Sequence, residues 1–198
     1  MPIVFNGNGE VEDWSHLDTC LPEATANMKQ LVKDSIIRVA DTIELKNVKA
    51  SIKTLFIRYD LTANSPSIRN LTWHYDDCSL TLTTLISDYQ QGNISFSGGE
   101  LNFAKAKYPM HSKELHDSLW KGEIDYDPQT IRTFKYPYNG GFFFDNIDTR
   151  HKVSDIIIDK SEISSECVIE RRIFSLFLKF NKEALDKILV ENQAKSEF

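Results

Sequence analysis

Five histidines and several close carboxylate pairs are the side chains in this 198-residue chain best suited to bind a metal or move a proton. They are His16, His74, His111, His116 and His151. His111 and His116 are five apart, which places them on different faces of a helix. A helical zinc site needs histidines four apart with a glutamate after the first. His116 and Trp120, four apart, are spaced to stack. A metal site is conceivable only if folding gathers His74, Asp76, His116 or His151 from distant positions, and no spacing demands it. The carboxylate pairs Asp76-Asp77, Asp125 and Asp127, and Asp145 and Asp148 have the types used for acid-base work or metal binding. Each lies beside a turn signal, where aspartate is favoured because its side chain hydrogen-bonds nearby backbone. The spacing therefore predicts no catalytic residue, no metal and no cofactor.

Nucleotide and nucleophile motifs fare no better. Gly7-Asn8-Gly9 follows a short apolar run, but the third glycine of a dinucleotide loop would fall at Glu12, where a carboxylate repels pyrophosphate. The stretch reads as a hairpin turn, since Asn-Gly tolerates positive φ at both positions. There is no phosphate loop and no G-x-S-x-G. Cys20, Cys78 and Cys167 are far apart, and none adjoins a Lys, Arg or His that would activate its thiol. The nearest thing to a nucleic-acid face is Lys105, Lys107, Tyr108, Lys113, Arg132, Lys135 and Tyr136, and a pI near 5.4 argues against it.

The elements that would position these groups follow from periodicity. From Leu21 to about Leu45, Met28, Leu31, Val32, Ser35, Ile36, Val39, Ala40 and Ile43 step by three and four, one continuous helical stripe. Residues 50 to 108 alternate with period two and read as an antiparallel meander, with Thr72, His74 and Asp76 on the face opposite Leu71, Trp73 and Tyr75. "HSKELHDSLWKG" suits a short helix capped by Ser112. "TIRTFKY" and "GFFFDN" read as the arms of a hairpin. Residues 165–180 fit either strand or helix, and Asn181 caps a last helix. The expected architecture is one α+β domain over 1–198: a largely antiparallel sheet of meander and hairpins, packed by a long N-terminal amphipathic helix and a C-terminal helix.

Charge points to a partner. Residues 1–28 hold Glu10, Glu12, Asp13, Asp18 and Glu23 and no Lys or Arg, so they carry five of the six net negative charges. Such a front repels phosphate backbones and suits a basic protein surface. The segment "FKYPYNGGFFFDN" adds six rings between Phe134 and Phe144. Alternation sends most of them to a core face and leaves Tyr138 and Phe143, beside Asp145 and Asp148, as contact candidates. The leading expectation is an acidic, cytoplasmic, non-enzymatic protein-binding protein of inhibitor or immunity (antitoxin) type. Its contact residues would be Glu10, Glu12, Asp13, Trp14, Asp18, Tyr138, Phe143, Asp145 and Asp148, and its partner a basic protein rather than a nucleic acid or membrane. The alternatives are a small-molecule binder or hydrolase with a His/Asp site, and a structural or oligomeric component. "MPIVFNGNGE" lacks the basic and apolar regions of a signal peptide, and no run reaches the roughly 20 apolar residues of a membrane helix.

Overall fold

The computed structural model describes residues 2–22, 24–43, 45–62, 67–68, 72–90, 96–137, 141–158, 168–186 and 188. The chain divides into two compact units. One comprises Met1–Leu55, Cys78–Leu82 and Leu176–Phe198, and the other Phe56–Asp77 and Thr83–Ser175. The architecture is α+β with antiparallel pairing, as the periodicity predicts.

In the first unit, β1 (Pro2–Phe5) pairs antiparallel with the start of β2 (Val48–Thr62), Phe5 opposite Val48. The Asn-Gly turn forms as expected. Asn6 Oδ1 accepts the amide N–H groups of Asn8 and Glu10, Gly9 takes φ +84°, and Phe5 bridges Val11. A short helix α1 (Ser15–Cys20) leads to α2 (Ala26–Ile43), whose buried positions are Val32, Ser35, Ile36, Val39, Ala40 and Ile43. That is the stripe the sequence spells. Full burial of one such side chain as Ile36 is worth about 1.5–3 kcal/mol. Residues 182–186 are helical, and Asn181 Oδ1 accepts the Ala184 N–H at 2.8 Å as its cap.

The second unit is mostly strand. It contains β3 (Ser67–Ile68), β5 (Phe96–Ser97), β6 (Leu101–Lys105), β7 (Arg132–Phe134), β8 (Gly141–Asp145), β9 (Thr149–Val153) and β10 (Ile156–Ile158). Helix α3 (Lys113–Trp120) is capped by Ser112, which accepts the Leu115 N–H. Strands β4 (Leu80–Gln90) and β11 (Val168–Phe180), like β2, have residues in both units. Among the described residues three sheets result, ordered β1-β2-β11-β4-β8, β3-β10-β5 and β7-β6-β9.

This order departs from a meander. Consecutive strands are rarely neighbours: β6 lies between β7 and β9, and β10 between β3 and β5. Residues 72–79 form no strand at all, apart from one bridge at His74. Among the described residues the two arms of the hairpin expected across 130–146 do not pair, because β7 pairs with β6 while β8 lies beside β4. Two local facts explain the separation. Pro137 has no N–H to give a ladder. Gly141 lies so close to β4 that a Cβ would collide with the Thr83 carbonyl oxygen. Residues 168–180 resolve as strand, and the run from Ile173 to Leu176 is buried on both faces, which is why it also fitted a helix.

Candidate metal centre

His74 and His151 form an antiparallel bridge in which each amide donates to the other's carbonyl, at 3.0 and 2.9 Å. Their rings therefore emerge side by side, with centroids 4.3 Å apart. Asp76, two residues beyond His74, brings its carboxylate against both rings. His74 Nε2 lies 3.9 Å from Asp76 Oδ1, and His151 Nε2 lies 3.6 Å from Asp76 Oδ2. One donor atom from each of the three falls within 4.8 Å of the others. Among the described residues this is the single such group of His, Cys, Asp and Glu able to hold a metal ion.

The hydrogen bonds and burial around the donors suit metal binding. His74 Nδ1 is 2.7 Å from the Thr72 carbonyl, to which it donates, so the ring turns Nε2 toward the cluster. Burial, aided by His74 and Arg150, pushes the His151 imidazole down to about 3, so it is neutral at physiological pH. Asp76 is half-buried, and its amide N–H donates to Asn146 Oδ1 at 3.0 Å. Two imidazoles and one carboxylate are donor types that a non-haem Fe(II) ion takes, and that zinc takes as well. The residues fit the ion.

The neighbours of the three donors point the other way and carry a second network. Arg150 is fully buried. Its Nε donates to Asp125 Oδ2 at 2.6 Å, its Nη2 to the Tyr108 carbonyl at 2.9 Å, and its guanidinium stacks 4.7 Å over the Tyr75 ring. Trp73 stacks on Tyr126 at 4.5 Å with Lys152 above it. Asp125 is thus a buried counter-ion, whereas its neighbour Asp127 does make a turn, accepting the Gln129 N–H.

The aromatic segment forms a wall beside His151. Phe144 is 4.7 Å from the His151 ring and 4.9 Å from Phe103, which in turn touches Phe134 and Phe142. Tyr136 packs on Phe142 at 5.4 Å, and the Arg171 guanidinium lies over Tyr136 at 5.2 Å. Tyr136 and Arg171 also line a cavity of about 370 Å³ with Lys135, Glu100, Gly98 and Gly99. Its charged groups among the described residues are Lys135, Arg171 and Glu100. Burial raises the Tyr136 phenol above its usual range, opposed by its hydrogen bond with Thr83.

The partner-binding candidates lie elsewhere or are engaged locally. Glu10 and Glu12 are exposed, and Glu10 accepts from the Asn6 side chain. Asp13 accepts from the Ser15 amide and hydroxyl, Trp14 sits under the Lys33 ammonium, and Asp18 pairs with Lys29 at 2.8 Å. Asp145 accepts the Asp148 N–H, a turn contact, while Asp148 is exposed and Phe143 half-buried. Tyr138 lies outside the described residues. His116 is exposed on α3 beside Asp117 and takes no part in the cluster. The signal that could have found the centre is the pair His74-x-Asp76, two metal-ligand types at the spacing that shares one face of an extended chain.

No family model matches the chain, and no curated protein matches it by sequence. Solved structures do. The Fe(II)/(alpha)ketoglutarate-dependent dioxygenase TqaL aligns over 91% of this chain and 66% of its own at 13% identity, with a TM-score of 0.51. IDO from Bacillus thuringiensis aligns over 78% and 57% at 14% identity, TM-score 0.47. A bsmA homolog from Methylobium petroleophilum PM1 aligns over 80% and 55% at 12% identity, TM-score 0.49. The chain thus spans less than two thirds of each of these proteins. At such identity the likeness to TqaL is one of fold.

Proposed function

We propose that this chain is a non-haem Fe(II)-dependent oxygenase that uses a 2-oxo acid as cosubstrate, with His74, Asp76 and His151 holding the iron. The observation that carries the reading is the convergence of two imidazoles and one carboxylate on one side of the His74–His151 bridge. A ferrous ion held there supplies the electron-transfer chemistry that lets dioxygen react, with the oxo acid as co-reductant. His74 presents Nε2 because the Thr72 carbonyl holds its Nδ1. His151 stays neutral, so a proton does not compete for its nitrogen near pH 7. Asp76 supplies the compensating negative charge. Phe144 and Phe103 shield the His151 side from water. The fold shared with TqaL supports iron and an oxo acid over a hydrolytic zinc centre built from the same donors.

The test is oxygen uptake. After anaerobic loading with Fe(II), addition of α-ketoglutarate and air is expected to give oxygen consumption that the Asp76→Ala variant lacks. Uptake equal in the two chains, or stimulation by zinc and not by iron, would overturn the reading.

A separate proposal concerns the exposed Glu10 and Glu12, set with Asp13 in one short loop. Their closely spaced carboxylates favour contact with a basic protein surface.

A further inference from the structure

We propose that Arg150 is a positioning residue that sets the orientation of the metal ligands from the reverse face of the bridge. The inference rests on the reading of His74, Asp76 and His151 as ligands.

A ligating histidine is normally aimed by the hydrogen bond its second ring nitrogen makes. His74 has such an anchor in the Thr72 carbonyl, and Asp76 is tied through its amide to Asn146. His151 differs. Its Nδ1 is buried and finds no hydrogen-bond partner among the described residues. Its ring must therefore be aimed by its backbone and by packing on Phe144 and His74.

Arg150 is the residue that fixes that backbone. Its guanidinium has five N–H donors in a rigid plane. One goes to Asp125, one to the Tyr108 carbonyl, and the Nη1 group reaches the carbonyls of Thr149 and Asn146 at 3.3 and 3.4 Å. Its face covers Tyr75, the residue between His74 and Asp76. One fully buried side chain thus touches the residue between two ligands, the residue that holds Asp76, and its own strand two positions before the third ligand. A purely structural ion pair would need Asp125 alone. The contacts with Tyr75 and Asn146 tie the cation to both ligand-bearing segments.

The test uses Co(II), whose visible absorption reports ligand geometry, titrated into the full chain. Arg150→Lys keeps a charge facing Asp125 but loses the planar fork, and Tyr75→Leu keeps the ion pair but loses the stacking face. Ile36→Ala, a core deletion in the other unit, controls for lost stability alone. The expected result is roughly 10- to 100-fold weaker Co(II) binding with an altered spectrum in Arg150→Lys, and a smaller change of the same kind in Tyr75→Leu. Ile36→Ala should lower the melting temperature while leaving affinity and spectrum unchanged. Arg150→Lys and Tyr75→Leu chains that bind within about twofold of the native protein, with its spectrum, would overturn the positioning role. If Arg150→Lys does not fold, Tyr75→Leu decides the matter alone. A native chain that binds no Co(II) would refute the metal reading itself, a result separable from the first.

Discussion

At the scale of single residues, His151 makes the most exposed claim. Burial, with His74 and Arg150 nearby, pushes its imidazole from the ordinary 6.5 down to about 3. Between those two values the unfolded chain binds a proton that the folded chain does not. Stability of the metal-free protein should therefore rise with pH from about 3 to about 6.5 and level off above, by a few kcal/mol from this group. Urea unfolding of chelator-treated protein across that range, with His151→Asn beside it, measures the effect. The substitution should flatten the slope, and an unchanged slope would mean the imidazole is not held neutral. Two of the three donors were legible in the sequence as a pair, since alternation places His74 and Asp76 on one face. His151 was not, because its meeting with His74 depends on a non-sequential bridge that no local pattern encodes. Asp76 and Asp125 were read as turn residues because their neighbours are turn formers. Their real partners, two histidines and a buried arginine, come from other elements.

At the scale of elements, the regular pieces were the readable ones. The 3.6-residue stripe of α2 and the Ser112 cap of α3 appear where the residues put them. Strand order was not readable, because strands from 101–105, 132–134 and 149–153 pair by tertiary packing rather than by turn chemistry. The six rings of residues 134–144 illustrate the difference. Alternation sent most of them to a core face, but of the five described rings Phe134 is exposed and the others, Phe143 included, are half-buried, in a row that runs past Phe103 to His151 rather than in a hairpin. The turn at Gly98-Gly99 gives a prediction on this scale. Gly99 holds φ +75°, and a Cβ there would overlap the Arg171 guanidinium. Gly99→Ala should cost more than about 1 kcal/mol in chemical denaturation, because backbone strain and displacement of a buried cation add. Native stability in that variant would mean that the glycine turn and Arg171 are not packed as described.

At the scale of the whole molecule, the acidic front and the donor cluster belong to different compact units. The two activities proposed for the chain can therefore be removed one at a time. Changing Glu10, Glu12 and Asp13 together to Ala should weaken a salt-sensitive interaction with a basic protein and leave metal affinity untouched. Retention of such a partner by the triple variant at low salt would exclude the acidic-front contact. Among the described residues no helix is long and apolar enough to cross a membrane. Net charge and composition, which bear on partners, said nothing of the centre, because three neutralising donors in 198 residues leave no compositional trace. The central claim is that His74, Asp76 and His151 bind one divalent ion, and the most direct measurement is an anaerobic titration with Mn(II) followed by electron paramagnetic resonance. The account predicts one bound ion per chain in the native protein and its loss in His74→Ala, Asp76→Ala and His151→Ala alike. Undiminished binding in the three folded variants, or none in the native chain, would contradict it.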